Sequence, residues 1–594
     1  MKCPPVLGGR VRSWIWEVGL LLVLPLAFYR GFAEQFSTPK FFLTKFLIIT
    51  ALAIWGLGRI WTAPPRRFHF NLALPLLAFS IAILISCFES PVPRLGLMEV
   101  EYALCGPVWF LLLGSTERGQ ETTQRIAVLT GIAGALVAGI ILLQQLGFDP
   151  VVLGGNQVDW GSMVARMHLY STFGNPNFVG GYLVGTIFAA LALAGTSKSI
   201  WARGVWWCVA LMMLAAIIET ASRGAWLGLA VGSVAATITM LPDHSNQPHG
   251  VRKGTGSKSF VTSVLCWPMA MMTVSLGERI AVQLQGRIYL WRFSWPIFRQ
   301  HPIVGSGWGA YQLLYLDLQG RFLSAHPKYV GFWTNNRLLH NDPLQLLLET
   351  GLAGFTTFLW ILWRYGQDAR RVRTQSAGGW PRFMNAASVG GVTAIIVDSL
   401  FNYQFAIPPT YILLFTLLAI PSMLHDEEFE KASLDRPPAA LPARHHPWQV
   451  TWKLAGSAAV GVAAAALLWQ QTRALTSEHL YQTASDLENR NDLANAEAGF
   501  RRSVELNDLN GRAHFGLSRV LSSRGRTSEA LAEIERAEQT FADSHQEVLR
   551  GVILEQMGKY GEALAAYRHA IWLDPTLASA QEDIGSLNKA RSGQ

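Results

Sequence analysis

The sequence predicts an all-α, polytopic membrane protein that ends in a helical solenoid, and three observations carry that prediction. Half of the 594 residues are hydrophobic and only 15% are charged, with a mean hydropathy of +0.24. A soluble domain carries about 25% charged residues. Apolar runs of about 20 residues, long enough to cross the hydrocarbon of a bilayer, then follow one another over most of the chain. Beyond them an alanine recurs at spacings of 34 and 33, at Ala496, Ala530 and Ala563, the period of stacked helix pairs.

The rest of the composition agrees. The 22 tryptophans suit a chain with many membrane–water boundaries, where indole rings settle. A formal charge of +9 would also suit a nucleic-acid partner, but cytoplasmic loops collect Lys and Arg in any membrane protein, so no nucleic acid is expected. Four of the five cysteines, Cys87, Cys105, Cys208 and Cys266, fall in apolar runs, and no C-x-x-C pair exists. They read as small packing residues, and neither a disulfide nor a metal site is expected. Basic residues precede WEVGLLLVLPLAF near the N-terminus without a small-residue cleavage site after it, so this run reads as a first spanning helix.

Candidate spans are 14–30, 40–61, 70–88, 95–114, 125–147, 173–195, 204–220, 224–241, 260–276, 343–363, 384–401, 409–424 and 454–469, about 12–13 in all. Alternate loops carry the positive charge: Arg59, Arg66 and Arg67; Lys198 and Arg203; Arg252, Lys253 and Lys258; then Arg364, Arg370, Arg371 and Arg373. These loops are expected in the cytoplasm. Counting forward places a large loop, 277–342, on the outer side. Residues 425–453 are charged and Pro-rich and read as a linker before a last span at 454–470. If that span crosses, the repeats at 478–590 are outside; if it lies flat, they stay cytoplasmic.

The last repeat, GVILEQMGKYGEALAAYRHAIWLDP, resembles a tetratricopeptide repeat at Gly551, Leu554, Gly558, Tyr560, Ala563, Tyr567, Ala570 and Pro575. Small residues there let antiparallel helices approach while aromatics fill the gap, and such solenoids bind protein partners.

Three polar stretches fall on the expected outer side. The first is TASRGAW, where Arg223 lies between apolar runs; it either snorkels to the interface or pairs with an anion. The second begins at Gln285, with Arg287, Arg292 and Arg299 on a helix whose Leu284, Ile288, Trp291 and Trp295 form an apolar face for membrane or core. The glycine-rich 302–309 stretch ends it. The third is LLHNDPLQ. Asn341 or Asp342 caps a helix and Pro343 suits its first turn, which leaves His340 as either a structural side chain or a general base. Two guanidiniums and an imidazole on one face of a membrane suit a reaction that holds a lipid-linked diphosphate while a hydroxyl attacks the sugar attached to it.

These residues resemble the O-antigen ligase and polymerase superfamily of membrane glycosyltransferases. The ligase motif is His, then Asn, Ser or Gln, nine residues, Gly, two residues and Thr; this chain has His340, Asn341 and Gly351, with Gly354 where Thr is expected. Thr356 and Thr357 follow two and three places later, so no role is carried over for the Thr. The SRG of Arg223, the GR of Arg287 and the stretch STFGNPNFVGGYLVG with Asn177 also match family positions. The resemblance spans residues 10–425 and implies a ligase-like transmembrane domain over 1–424 with a periplasmic 277–342 loop. It implies His340 as catalytic base, Arg223 and Arg287 as ligands of an undecaprenyl diphosphate, and Asn177, Arg292 and Asn341 as further substrate contacts. It implies no cofactor or metal, a bacterial inner-membrane location, and glycan transfer at the periplasmic face with lipid A-core as the expected acceptor. A protein O-oligosaccharyltransferase and a chain polymerase fit the same motifs. A non-catalytic scaffold or transporter is the remoter alternative, kept open by Glu99, Glu101 and Asp398 within apolar runs.

Overall fold

The computed structural model describes residues 13–61, 72–115, 119–152, 154–155, 165–241, 279–376, 378–433 and 447–592. It is an all-α membrane bundle carrying a helical cap and a helical-repeat tail; a two-residue pairing of Phe148–Asp149 with Gly154–Gly155 is the sole sheet among the described residues. Eight described helices are long and apolar enough to cross a membrane. Two shorter apolar segments, Trp14–Leu26 and Ala73–Glu89, lie among them, as do Arg223–Met240 and Gly379–Ser399. The span expected at 260–276 lies outside the described residues, as does 434–446 of the linker.

The first span ends earlier than expected. A π-helical turn at Gly19–Val23 and then Leu24–Leu26 bring the helix to a stop, and Ala27 is extended. Its buried Glu17 accepts a two-pronged hydrogen bond from Arg125, 2.9 Å on each arm, which ties this segment to Gly119–Gln145. At the centre of the bundle Pro176–Thr196 is covered on nearly all sides.

Small residues set the closest approach. A methyl group added at Gly228 would lie 2.5 Å from the carbonyl oxygen of Ala394, and one at Gly232 2.5 Å from that of Gly390. Backbone therefore touches backbone between Arg223–Met240 and Gly379–Ser399, the packing that lipid-embedded helices use. Gly228→Val is expected to cost about 1–3 kcal/mol through overpacking, read as a lowered thermal midpoint of the purified protein.

Pro447–Asn489 is one helix of 43 residues. Its apolar half runs beside Ser37–Trp61, with the Trp61 indole donating to Ser457 Oγ at 2.9 Å. Its other half is the first helix of the solenoid, where the Ser477 hydroxyl donates to the Ser503 carbonyl at 2.9 Å. The sequence reading divides this stretch at 470 and 478; no proline lies between 448 and 489 to break the helix, and alanine-rich sequence propagates it. The preceding Pro408 helix likewise continues to Ser433, past the expected boundary at 424.

In the tail, Ala496, Ala530 and Ala563 are fully buried, each in the second helix of its pair. Gly516 lies under the Phe500 ring and Gly551 under the Tyr567 ring, close enough that a methyl group at either would meet ring carbons at 2.5 and 2.4 Å. Residues 279–341 form the cap, with a core of its own around Tyr289, Phe293, Ile297, Tyr311, Tyr315 and Leu339. The stripe of the Arg279–Gln300 helix that faces protein is thus Tyr289, Phe293 and Ile297. Ile288 and Trp295, expected to face membrane or core, are 39% and 38% exposed and so are not part of this core. Two neighbouring stripes of this helix are apolar, and packing against Tyr311–Ala325 selects one of them.

Cap and tail share one end of the bundle. Arg94 pairs with Asp508 at 3.0 Å, Arg512 with Glu34 at 3.3 Å, and the Trp333 indole donates to the Leu573 carbonyl at 2.9 Å.

Candidate active site

His340 sits at the joint between cap and bundle, immediately before the membrane helix Asp342–Gln375. Asn341 caps that helix, its side-chain oxygen accepting from the Leu344 N–H at 2.9 Å. Asp342 turns the other way, and its buried carboxylate accepts from the Phe405 N–H at 3.0 Å. The two residues that could both cap have therefore divided the work: Asn341 caps the start of the helix, and Asp342 binds the 400–405 turn. His340 itself adopts a left-handed backbone, φ +53°.

That turn is the floor of the site. The buried Asp398 carboxylate accepts from Asn402 Nδ2 at 2.6 Å and from Gln404 Nε2 at 2.5 Å, which folds the chain back after the Gly379–Ser399 helix. The turn then presents Phe401 and Tyr403. The His340 ring packs edge-on against Tyr403 with centroids 4.7 Å apart, and Tyr403 packs on Phe178 at 4.9 Å. Arg287 places its guanidinium 5.8 Å over the Phe401 ring.

Burial first, and the positive charge of Arg287 second, lower the His340 pKa to about 4. The imidazole is therefore neutral, an acceptor rather than a cation, over the whole physiological range. Burial likewise raises the Tyr403 phenol to about 12, so it stays protonated. The unfolded chain takes up the His340 proton near pH 6.5 and the folded chain only near 4. The stability gained by keeping the ring neutral is thus full above about pH 6.5 and is lost as pH falls toward 4. Diethyl pyrocarbonate modification of His340 followed against pH should show its midpoint near 4 instead of the ordinary value.

Two further expected residues border the same turn. Arg223 opens the Arg223–Met240 helix, and its neighbour Gly224 abuts Asp398 and Asn402 so closely that a methyl group there would lie 2.4 Å from Asp398 Oδ1 and 2.9 Å from Asn402 Nδ2. Asn177 stands in the first turn of Pro176–Thr196, capped by Asn175, and its carbonyl accepts from Gln404 Nε2 at 3.2 Å. Arg292 is not part of this group: it is exposed and donates to the Tyr329 hydroxyl at 3.0 Å within the cap. Five residues beyond Arg287, it lies on a different face of the helix.

The motif glycine has a mechanical role. At Gly351 the membrane helix breaks, with φ +62° and ψ −165°, and takes in the 302–309 loop. Leu352 and Ala353 N–H groups donate to the Pro302 and Ile303 carbonyls, both at 2.9 Å, and Ser306 and Gly307 donate to Leu348 and Glu349 at 3.0 Å. A side chain at 351 would meet the Ile303 oxygen at 2.3 Å. The buried Glu349 carboxylate completes the joint by accepting from the N–H groups of Gly309, 3.1 Å, and Tyr311, 3.3 Å. Thr356 and Thr357, beyond the position where the motif expects Thr, return their hydroxyls to carbonyls of their own helix.

Two of the three acidic residues that keep a transporter in view, Asp398 and Glu101, are hydrogen-bonded within the fold. Asp398 lies in the last turn of its helix and builds the floor of the site. Glu101 is held by Lys45 at 3.5 Å and by Gln471 Nε2 at 2.5 Å. Sequence reading did not single out Asn402, Tyr403 and Gln404 as part of the site. An acid followed at the fourth and sixth positions by amides, just past an apolar helix, was the available signal.

Residues 208–359 match the family model described as O-antigen ligase, and residues 460–580 match that of a tetratricopeptide repeat-like domain. No curated protein matches the chain. Among solved structures, the crystal structure of APC/C hetero-tetramer Cut9-Hcn1 matches over 93% of this chain and 84% of that one at 11% identity, with a TM-score of 0.19, too low for the two folds to be called alike. The matched segments contain Arg223, Arg287, His340 and Gly351 on one side and the alanine-spaced repeats on the other, so this chain joins an O-antigen ligase-like membrane segment to a tetratricopeptide repeat-like tail.

Proposed function

We propose that the protein transfers a glycan from undecaprenyl diphosphate to an acceptor hydroxyl at the periplasmic face of the bacterial inner membrane, with lipid A-core as the acceptor. The observation that carries this reading is a neutral imidazole, His340, held at the lip of a membrane helix within the field of the Arg287 guanidinium. The family match supports glycan transfer as the class of reaction.

In this mechanism the acceptor oxygen attacks the anomeric carbon of the lipid-linked sugar, and His340 takes the hydroxyl proton as that bond forms. The bond between the anomeric carbon and the diphosphate oxygen breaks, and undecaprenyl diphosphate leaves with the electron pair. Arg287 and Arg223 stabilise the charge that gathers on it, since guanidinium forks match phosphate oxygens. A base with a pKa of about 4 is weak in the free protein. The bound diphosphate would offset the Arg287 charge and raise the imidazole's basicity only once donor is present. Free hydroxyls and water then meet a poor base until the donor arrives.

The test is transfer by the purified protein in lipid nanodiscs supplied with undecaprenyl diphosphate-linked glycan and rough lipopolysaccharide. Formation of glycan-extended lipopolysaccharide supports the reading. Donor that stays intact with this acceptor but is consumed with a Ser- and Thr-containing acceptor protein would move the assignment to protein O-glycosylation.

A further inference from the structure

We infer that the repeat tail positions His340, acting through Arg337. The inference rests on the transfer reading above for its consequence, and on the structure alone for the contact. Residues 333–341, the last part of the cap, run into the membrane helix without regular secondary structure, so contacts with other elements fix their path. Thr334 exchanges two hydrogen bonds with Gln319, at 3.0 and 3.1 Å, and Asn335 accepts from the Tyr315 hydroxyl. Leu339 accepts from the Trp291 indole at 3.3 Å and donates to Gln345 at 3.1 Å. The tail holds the segment at two further points, one at its start and one between these contacts. Trp333 donates to the Leu573 carbonyl, and the Arg337 guanidinium lies 4.2 Å over the Phe541 ring with Asp543 at 3.8 Å.

Arg337 stands three residues before His340, about 10 Å of extended chain. His340 has a left-handed backbone, which a non-glycine residue keeps only where its surroundings over-determine it. Releasing Arg337 leaves the bonds of Leu339 to Trp291 and Gln345 as the last hold on the N-terminal side of His340, so its ring spends more time away from Tyr403 and Arg287. Arg337 also hydrogen-bonds the Tyr315 hydroxyl within the cap; the tail's share of the grip is set inside the solenoid, because Asp543 also caps the next tail helix, accepting from the His545 N–H at 3.0 Å. Trp572 presses on the cap at Gly320, where a methyl group would lie 2.9 Å from its ring and from its carbonyl oxygen. The tail's contacts through Arg94, in the first turn of the Pro93–Gly114 helix, and through Glu34 lie elsewhere and do not touch this segment.

The test uses the full chain in nanodiscs with Arg337→Ala, Arg337→Lys, Gly320→Leu as a wedge between cap and tail, and Arg94→Ala as a control. Two readouts are taken: the rate at which diethyl pyrocarbonate modifies His340, located by mass spectrometry, and the kcat and donor KM of transfer. Arg337→Ala and Gly320→Leu should raise the modification rate about 5-fold and lower kcat about 10-fold with donor KM unchanged. Arg337→Lys, which keeps a cation on the Phe541 face, should recover most of both. Arg94→Ala should change neither. A modification rate that stays level or falls in Arg337→Ala overturns the inference; because Arg337 also bonds Tyr315 of the cap, Phe541→Ala, which removes only the tail's side of the contact, must raise the rate as well, and it decides where the wedge variant does not fold. A raised modification rate with unchanged transfer upholds the tail's grip and instead overturns His340 as the base.

Discussion

His340→Ala should lower kcat for glycan transfer about 10²–10⁴-fold, the range lost with a general base, while donor KM stays within about 2-fold. The split follows from the geometry. His340 is neutral and packed on Tyr403, so it adds little to holding an anionic donor, whereas in the proposed mechanism its imidazole takes the acceptor proton. Alanine is a flawed probe by itself, because His340 has φ +53° and removing its ring also changes what the backbone tolerates. His340→Asn resolves this. Asparagine accepts the left-handed region readily and offers an amide in place of a base, so it should fold as well as wild type and be as inactive as the alanine variant. Equal thermal midpoints with equal loss of kcat would assign the effect to proton transfer. Near wild-type kcat in His340→Asn would show that the side chain only shapes the joint, and the base would have to be sought elsewhere.

How much of this was legible in the sequence depends on the range of the interaction involved. Span length, charge alternation and the alanine spacing are local patterns, and they announce the bundle and the solenoid. Asn341 as a helix cap is local too. The division of labour between Asn341 and Asp342 is not, since Asp342 binds Phe405, 63 residues away. Gly351 is part of a recognisable motif, yet its reason appears only when the 302–309 loop is seen entering the broken helix. The same holds for Asp398. In the sequence it is an acid in an apolar run, equally fit for a transport path. In space, Asn402 and Gln404 turn it into the floor under His340 and Arg287. The continuous Pro447–Asn489 helix was divided because hydropathy changes along it, although nothing in its backbone chemistry asks for a break.

Arg287 should separate two contributions that the wild type combines. Arg287→Gln removes both the fork and the charge, and transfer is expected to fall about 10²–10³-fold, as when one donor to a developing anion is lost. Arg287→Lys keeps the charge and loses the planar fork, so donor binding and leaving-group stabilisation suffer while the field at His340 persists. The pH dependence tells them apart. The Arg287 charge is one of the two causes that hold the His340 pKa near 4, with burial the larger. Removing a positive neighbour makes protonation easier, so in Arg287→Gln the pKa rises and the acid limb of kcat/KM moves toward neutrality. In Arg287→Lys the limb should stay near its wild-type position while the plateau drops. The sign is fixed by electrostatics: an acid limb that moves to lower pH in Arg287→Gln, or the same profile for both variants, would mean that Arg287 does not act on His340. The 5.8 Å stack on Phe401 would then be its main contact, and the two residues would not form one site.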